Sequence, residues 1–106
     1  MAWVLLLAAG LLEIVWAYTM KLSEGFTRVG PTVWTIVAML ASFGLLSIAM
    51  KTLPLGTAYA VWTGIGALGA LIVGIVALGE PLTATRVLAA GLIVAGLTLM
   101  KLSTPA

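Results

Sequence analysis

The chain has 106 residues, 63% of them hydrophobic and only 8% charged, and its mean hydropathy is +1.28. A water-soluble domain of this size needs far more polar surface, because small folds leave much of their area exposed, so the main solvent here is lipid. The net charge of +2 reflects loop lysines and arginines and does not point to nucleic acid, and the lack of cysteine and histidine excludes disulfides, thiolate metal sites, nucleophilic cysteine and Ser-His-Asp chemistry.

Four apolar runs follow one another: Ala2–Met20, Thr32–Met50, Thr57–Leu78 and Ala84–Leu102. Each matches the roughly 20 residues that a helix needs to cross a hydrocarbon core of about 30 Å. The strict alternation of a membrane barrel is missing, so the expected fold is all-α. Residues 1–106 read as a single four-helix transmembrane domain with no soluble module and no cofactor site. The first run is not expected to be a cleaved signal peptide, since it lacks a basic leading region and carries an acid at its centre.

That acid, Glu13, is the most informative residue of the chain. A carboxylate at mid-membrane depth costs a helix roughly 2.5–3.5 kcal/mol on insertion scales, and its usual tasks are cation binding and proton relay. Glu24 and Glu80 fall in connections, which leaves Glu13 as the one acid of the apolar segments. Helical spacing places Leu6, Ala9, Gly10, Trp16, Ala17 and Met20 on or near its face. The small residues there leave room for a ligand or another backbone. The Trp16 indole N–H, one turn on, is a candidate donor to the carboxylate. Trp3 and Trp34 lie near span ends and read as interfacial anchors.

The longest connection, Lys21 to Pro31, ends with a proline suited to the first turn of the second helix. In that helix Ser42 is mid-span. It either bonds a carboxylate across the bundle or returns to the carbonyl four residues back. The third helix follows Pro54-Leu-Gly56 and carries Tyr59, Trp62, Thr63 and Gly66 towards one face, continued by Ala70 and Gly74. Its first half offers hydroxyls and an aromatic plane, and its second half a ladder of small residues. Gly64 and Gly66 make it the helix most apt to bend. The fourth helix has no mid-span charge, and Gly91, Ala95 and Gly96 form a small-residue surface that suits packing between or within subunits.

Four spans put both termini on one side of the membrane with the second connection. Lys51, Lys101 and the terminal amine then face Lys21, Arg28 and Arg86 across the bilayer. So weak a bias in lysine and arginine predicts insertion in both orientations. Two copies in opposite orientations form an inverted pair, the arrangement in which transporters place a site at mid-membrane. Eight helices and two Glu13 carboxylates suffice for a gated cavity, whereas four helices around one acid do not.

Glu13, the run Lys21-Leu-Ser-Glu-Gly-Phe-Thr-Arg28, the run Pro54-Leu-Gly-Thr-Ala-Tyr-Ala-Val-Trp62 and Gly64-Ile-Gly66 together resemble the small multidrug resistance family over essentially the whole chain. The segments Glu13-Ile-Val-Trp16 and Leu53 to Gly69 look like its guanidinium-exporter branch, since the polyaromatic-drug branch typically carries a small residue at the place of Trp16. The resemblance implies an antiparallel dual-topology homodimer in a bacterial plasma (inner) membrane. It would exchange protons for a small organic cation at a site shared by both Glu13 residues. By the same resemblance Trp16, Ser42, Tyr59 and Trp62 line the site, with Gly10, Thr63 and Gly66 as further lining. The competing expectations are a polyspecific quaternary-ammonium exporter and a small dual-topology ion channel. An enzyme is not expected, because no nucleophile–base pair is present.

Overall fold

The computed structural model describes residues 1–104. It contains four helices in chain order: α1 (Ala2–Leu22), α2 (Val29–Ala49), α3 (Leu55–Leu78) and α4 (Ala84–Ser103). All four are long and apolar enough to cross a membrane. Two of them start earlier than the hydropathy pattern suggests. Helix α2 begins at Val29 rather than Thr32, so Pro31 falls inside its first turn, where the missing N–H would have no helical partner in any case. Helix α3 begins directly after Pro54 at Leu55 rather than at Thr57.

Helix α1 is central. It packs along both α2 and α3, while α2 and α3 barely meet each other and α4 packs along α3, reaching α1 through the side chain of Lys101. The buried core is correspondingly small: Leu6 and Ala9 of α1, Leu46 and Ala49 of α2, Leu53 of the connection, and Ala58, Val61 and Trp62 of α3. No residue of α4 is buried within the chain. The Cα envelope measures 42 × 34 × 16 Å, a flattened bundle.

Two connections set the helix geometry. Between α1 and α2, Ser23 is fully buried; its hydroxyl donates to the Met20 carbonyl at 2.6 Å and accepts the Phe26 N–H at 3.0 Å. Its carbonyl takes the N–H groups of Thr27 and Arg28. Glu24, Gly25 and Phe26 all have positive φ, so the chain reverses in three consecutive left-handed residues, two of them not glycine. Just inside the helices the Thr19 and Thr35 hydroxyls share a hydrogen bond of 2.7 Å. Between α3 and α4, Gly79 at φ 70° turns the chain so that the Glu80 N–H returns to the Gly74 carbonyl at 3.0 Å. Thr83 caps α4 by accepting the Arg86 N–H at 3.2 Å. At the opposite edge Lys101 sits over the Trp3 ring, 4.5 Å from its centre, and the Thr57 and Thr104 hydroxyls lie 3.2 Å apart.

Candidate functional site

Glu13 lies at the middle of α1, on the side that packs against α3. Its carboxyl group fills the space that a Cβ on Gly66 would occupy, contacting both carboxyl oxygens and the carboxyl carbon. Only glycine fits at position 66 while the carboxyl stays where it is. The neighbouring α1–α3 contacts use the same device with apolar partners: Gly10 is filled by Ile65, and Gly69 by Ile14. Helix α3 is thereby held close enough to α1 for the acid to rest on its backbone.

A polar chain approaches the same turn from the other side. The Trp62 indole N–H donates to Ser42 Oγ at 3.0 Å, and the Ser42 hydroxyl donates to the Ala9 carbonyl at 2.7 Å. In an α-helix the carbonyl of residue 9 is the one that receives the backbone N–H of residue 13. Ser42 therefore uses its single O–H on the backbone acceptor beneath Glu13. It bonds neither the carboxylate nor the carbonyl of its own helix four residues back, the two partners considered from sequence. The chain ties α2 and α3 to the turn of α1 that carries the acid.

Two buried polar atoms have no hydrogen-bond partner among the described residues: Glu13 Oε2 and Trp16 Nε1. Within one protomer, then, the indole does not donate to the carboxylate one turn away. The two groups are complementary in type, an acceptor and a donor one turn apart on α1.

Aromatic rings surround this face. Trp16 and Phe43 meet edge to face at 6.5 Å, Phe43 and Trp62 at 5.8 Å, and Tyr59 tilts against Trp62 at 5.6 Å. Phe43, which joins the two tryptophans, was not singled out from sequence, because one more apolar residue in an apolar helix gives no signal. The structure thus brings together Glu13, Trp16, Ser42, Trp62 and Gly66, with half-exposed Tyr59 at the edge. Gly10 is buried beneath Ile65, and Thr63 is exposed, one position round α3 from Trp62. Gly91, Ala95 and Gly96 are exposed on the protomer. Gly96 opens onto an apolar groove of about 450 Å³ between α3 and α4, bordered by Ala60, Gly64, Leu97 and Met100, away from Glu13. Among the described residues no cluster of acids could hold a metal ion.

With this geometry in place, the comparison with known proteins is decisive for the family. The sequence profile described as "Small Multidrug Resistance protein" matches residues 1–93. The chain belongs to the small multidrug resistance family. A Citrobacter freundii relative named guanidinium exporter is 60% identical over 104 residues, covering 98% of this chain and 99% of its own. Relatives of the same name from Salmonella typhimurium strain LT2 and Yersinia pseudotuberculosis serotype I are 59% and 57% identical. The matches cover 97% and 98% of this chain and 98% and 100% of those relatives. Family membership and the four apolar helices make this chain a multi-pass membrane transporter.

Proposed function

We propose that the chain is a proton-coupled antiporter that exports guanidinium and small substituted guanidinium cations, and that it is not an enzyme. The observation that carries this reading is Glu13, the lone acid of the four helices, at the middle of α1 with one carboxylate oxygen buried and without a hydrogen-bond partner among the described residues. Guanidinium is planar, permanently charged and presents parallel N–H donors that match a carboxylate. The rings of Trp16 and Trp62 offer faces for cation–π contact. A carboxylate that holds either a proton or the cation, but not both, couples the two fluxes by exclusion. The guanidinium-exporter name of relatives near 60% identity supports the choice of cation.

The working unit is proposed to be an antiparallel dual-topology homodimer in the bacterial plasma membrane. Support comes from the near-balanced basic residues on the two sides and from α4, none of whose residues is buried within its own chain. Packing of Gly91, Ala95 and Gly96 against the second copy would join the pair. Both Glu13 carboxylates, with Trp16, Ser42, Tyr59 and Trp62, would then line one site, and α3 would flex at Gly64 and Gly66 as access alternates.

A second reading, a polyspecific exporter of aromatic quaternary cations, draws on the exposed edge of the Trp16–Phe43–Trp62 cluster. Proteoliposome flux separates the two. Guanidinium and singly substituted guanidines should be transported, and tetrasubstituted ammonium ions, which lack N–H donors, poorly. Equal rates for guanidinium and a bulky aromatic quaternary cation favour the second reading.

A further inference from the structure

We infer that Gly66 is a positioning residue for cation–proton exchange: its missing side chain is the seat that fixes the Glu13 carboxylate against α3. This rests on the exchange reading above. The argument is steric. Four glycines of α3 each receive a side chain where a Cβ would stand, and the occupants differ: Leu97 at Gly64, Glu13 at Gly66, Ile14 at Gly69 and Glu80 at Gly74. At Gly64 and Gly69 the occupant is the flexible end of an aliphatic chain, which can rotate aside. At Gly66 it is the reacting group itself. A methyl there must push the carboxylate off the α3 backbone, away from the turn that the Trp62–Ser42–Ala9 chain holds in place.

The placement has a consequence for selectivity. Seated on a backbone, the carboxylate cannot retreat, so the distance between the two carboxylates of a pair is set by helix packing rather than by side-chain rotamers. A gap fixed in this way selects a cation by its size. The groups able to disturb Glu13 electrostatically are few: α2 has no titratable side chain, α3 has Tyr59, α1 itself has Tyr18 and Lys21, and the second copy adds its own Glu13.

The test is a double-substitution cycle read in proteoliposomes. Guanidinium exchange is measured against external pH for the wild type, Gly66→Ala, Gly74→Ala, Glu13→Asp and the Glu13→Asp/Gly66→Ala pair. Gly66→Ala should lose roughly tenfold or more of its exchange rate and move the pH of half-maximal exchange, as expected of a misplaced reacting group. Gly74→Ala displaces a carboxylate outside the site and should keep the wild-type pH profile. Shortening the acid by one methylene draws it back from α3. The pair should therefore retain roughly tenfold more exchange than the product of the two single losses predicts, a coupling in the range seen for residues in contact. Strictly multiplicative effects with an unchanged pH profile would show that Gly66 serves only the bending of α3, and would overturn the proposal. So would Gly66→Ala failing to fold in both the Glu13 and the Glu13→Asp backgrounds, because the shorter acid should relieve the clash. Titration of ¹³C-labelled Glu13 by NMR in wild type and Gly66→Ala needs no transport. A coincident pair of curves overturns the proposal even if the wild type proves not to exchange guanidinium, whereas displaced curves in a chain without guanidinium exchange uphold it and sink only the exchange reading.

Discussion

Two carboxylates lean on the same helix in the same way. Glu13 fills the notch at Gly66 and Glu80 the notch at Gly74, two turns further along α3. Glu80 also has Arg86, 3.3 Å away, and both side chains are partly open to solvent at the helix ends. Among the described residues Glu13 has no cationic partner and keeps one oxygen without a hydrogen bond. An identical steric seat thus yields a paired structural carboxylate at the rim and an unsatisfied one at mid-span. What separates them is the position of the nearest arginine, and that decides which acid is left to hold something else.

The comparison breaks most visibly if the charge is removed. Glu13→Gln preserves shape and deletes both the charge and the proton site, so coupled guanidinium flux should vanish while the protein elutes on size exclusion as the wild type does. Glu80→Gln should transport at near the wild-type rate. Robust coupled flux by the Glu13 variant would end the proposed mechanism.

Proton competition sharpens the contrast next. Lowering the pH places more protons on Glu13, leaves fewer carboxylates for the cation, and should weaken guanidinium binding; raising it should strengthen binding until the acid is fully ionised. Isothermal titration across pH checks the sign. The same slope should persist in Glu80→Gln, because Glu80 is spent on Arg86.

Orientation offers an intermediate effect, since Arg86 is one of the three basic side chains on its side. Reporters fused to the C-terminus should detect both orientations of the wild type, and two or three lysines added to one side should bias the population. A wild-type population facing one way only contradicts the antiparallel pair. Smaller still is the expected effect of Trp62→Phe, which removes the N–H donated to Ser42. A loss of about 1 kcal/mol in the thermal stability of the detergent-solubilised protein is expected for one buried hydrogen bond. Smallest is Glu80→Gln itself, whose partly exposed ion pair should contribute no more than about 0.5 kcal/mol.

Much of this was legible before any coordinates. The four spans follow from run length and composition, and Glu13 stands out because a single charge in an apolar run has no other excuse. What resisted reading depends on which helices touch. The seat at Gly66 exists only because α1 lies on α3 at that height; in sequence, Gly66 is one of several glycines and reads as site lining and as a hinge. Ser42 had two plausible partners and took a third, the Ala9 carbonyl on another helix. Phe43 and the Thr19–Thr35 contact were invisible for the same reason: neither residue type nor spacing reveals a neighbour that the chain brings in from a different span.

The turn between α1 and α2 bears on how the chain is made. Its hydrogen bonds, from the Ser23 knot to the Thr19–Thr35 staple, lie within residues 15 to 35 and are complete as soon as that stretch has left the ribosome. At that moment Lys51, Arg86 and Lys101 have not emerged, and the basic side chains already outside, Lys21 and Arg28, flank the turn itself. The later charges consequently act on a finished hairpin and must retain it or turn it over as one body. Shifting Lys101 to an earlier position should change the orientation ratio even though the final tally of charges on each side stays the same.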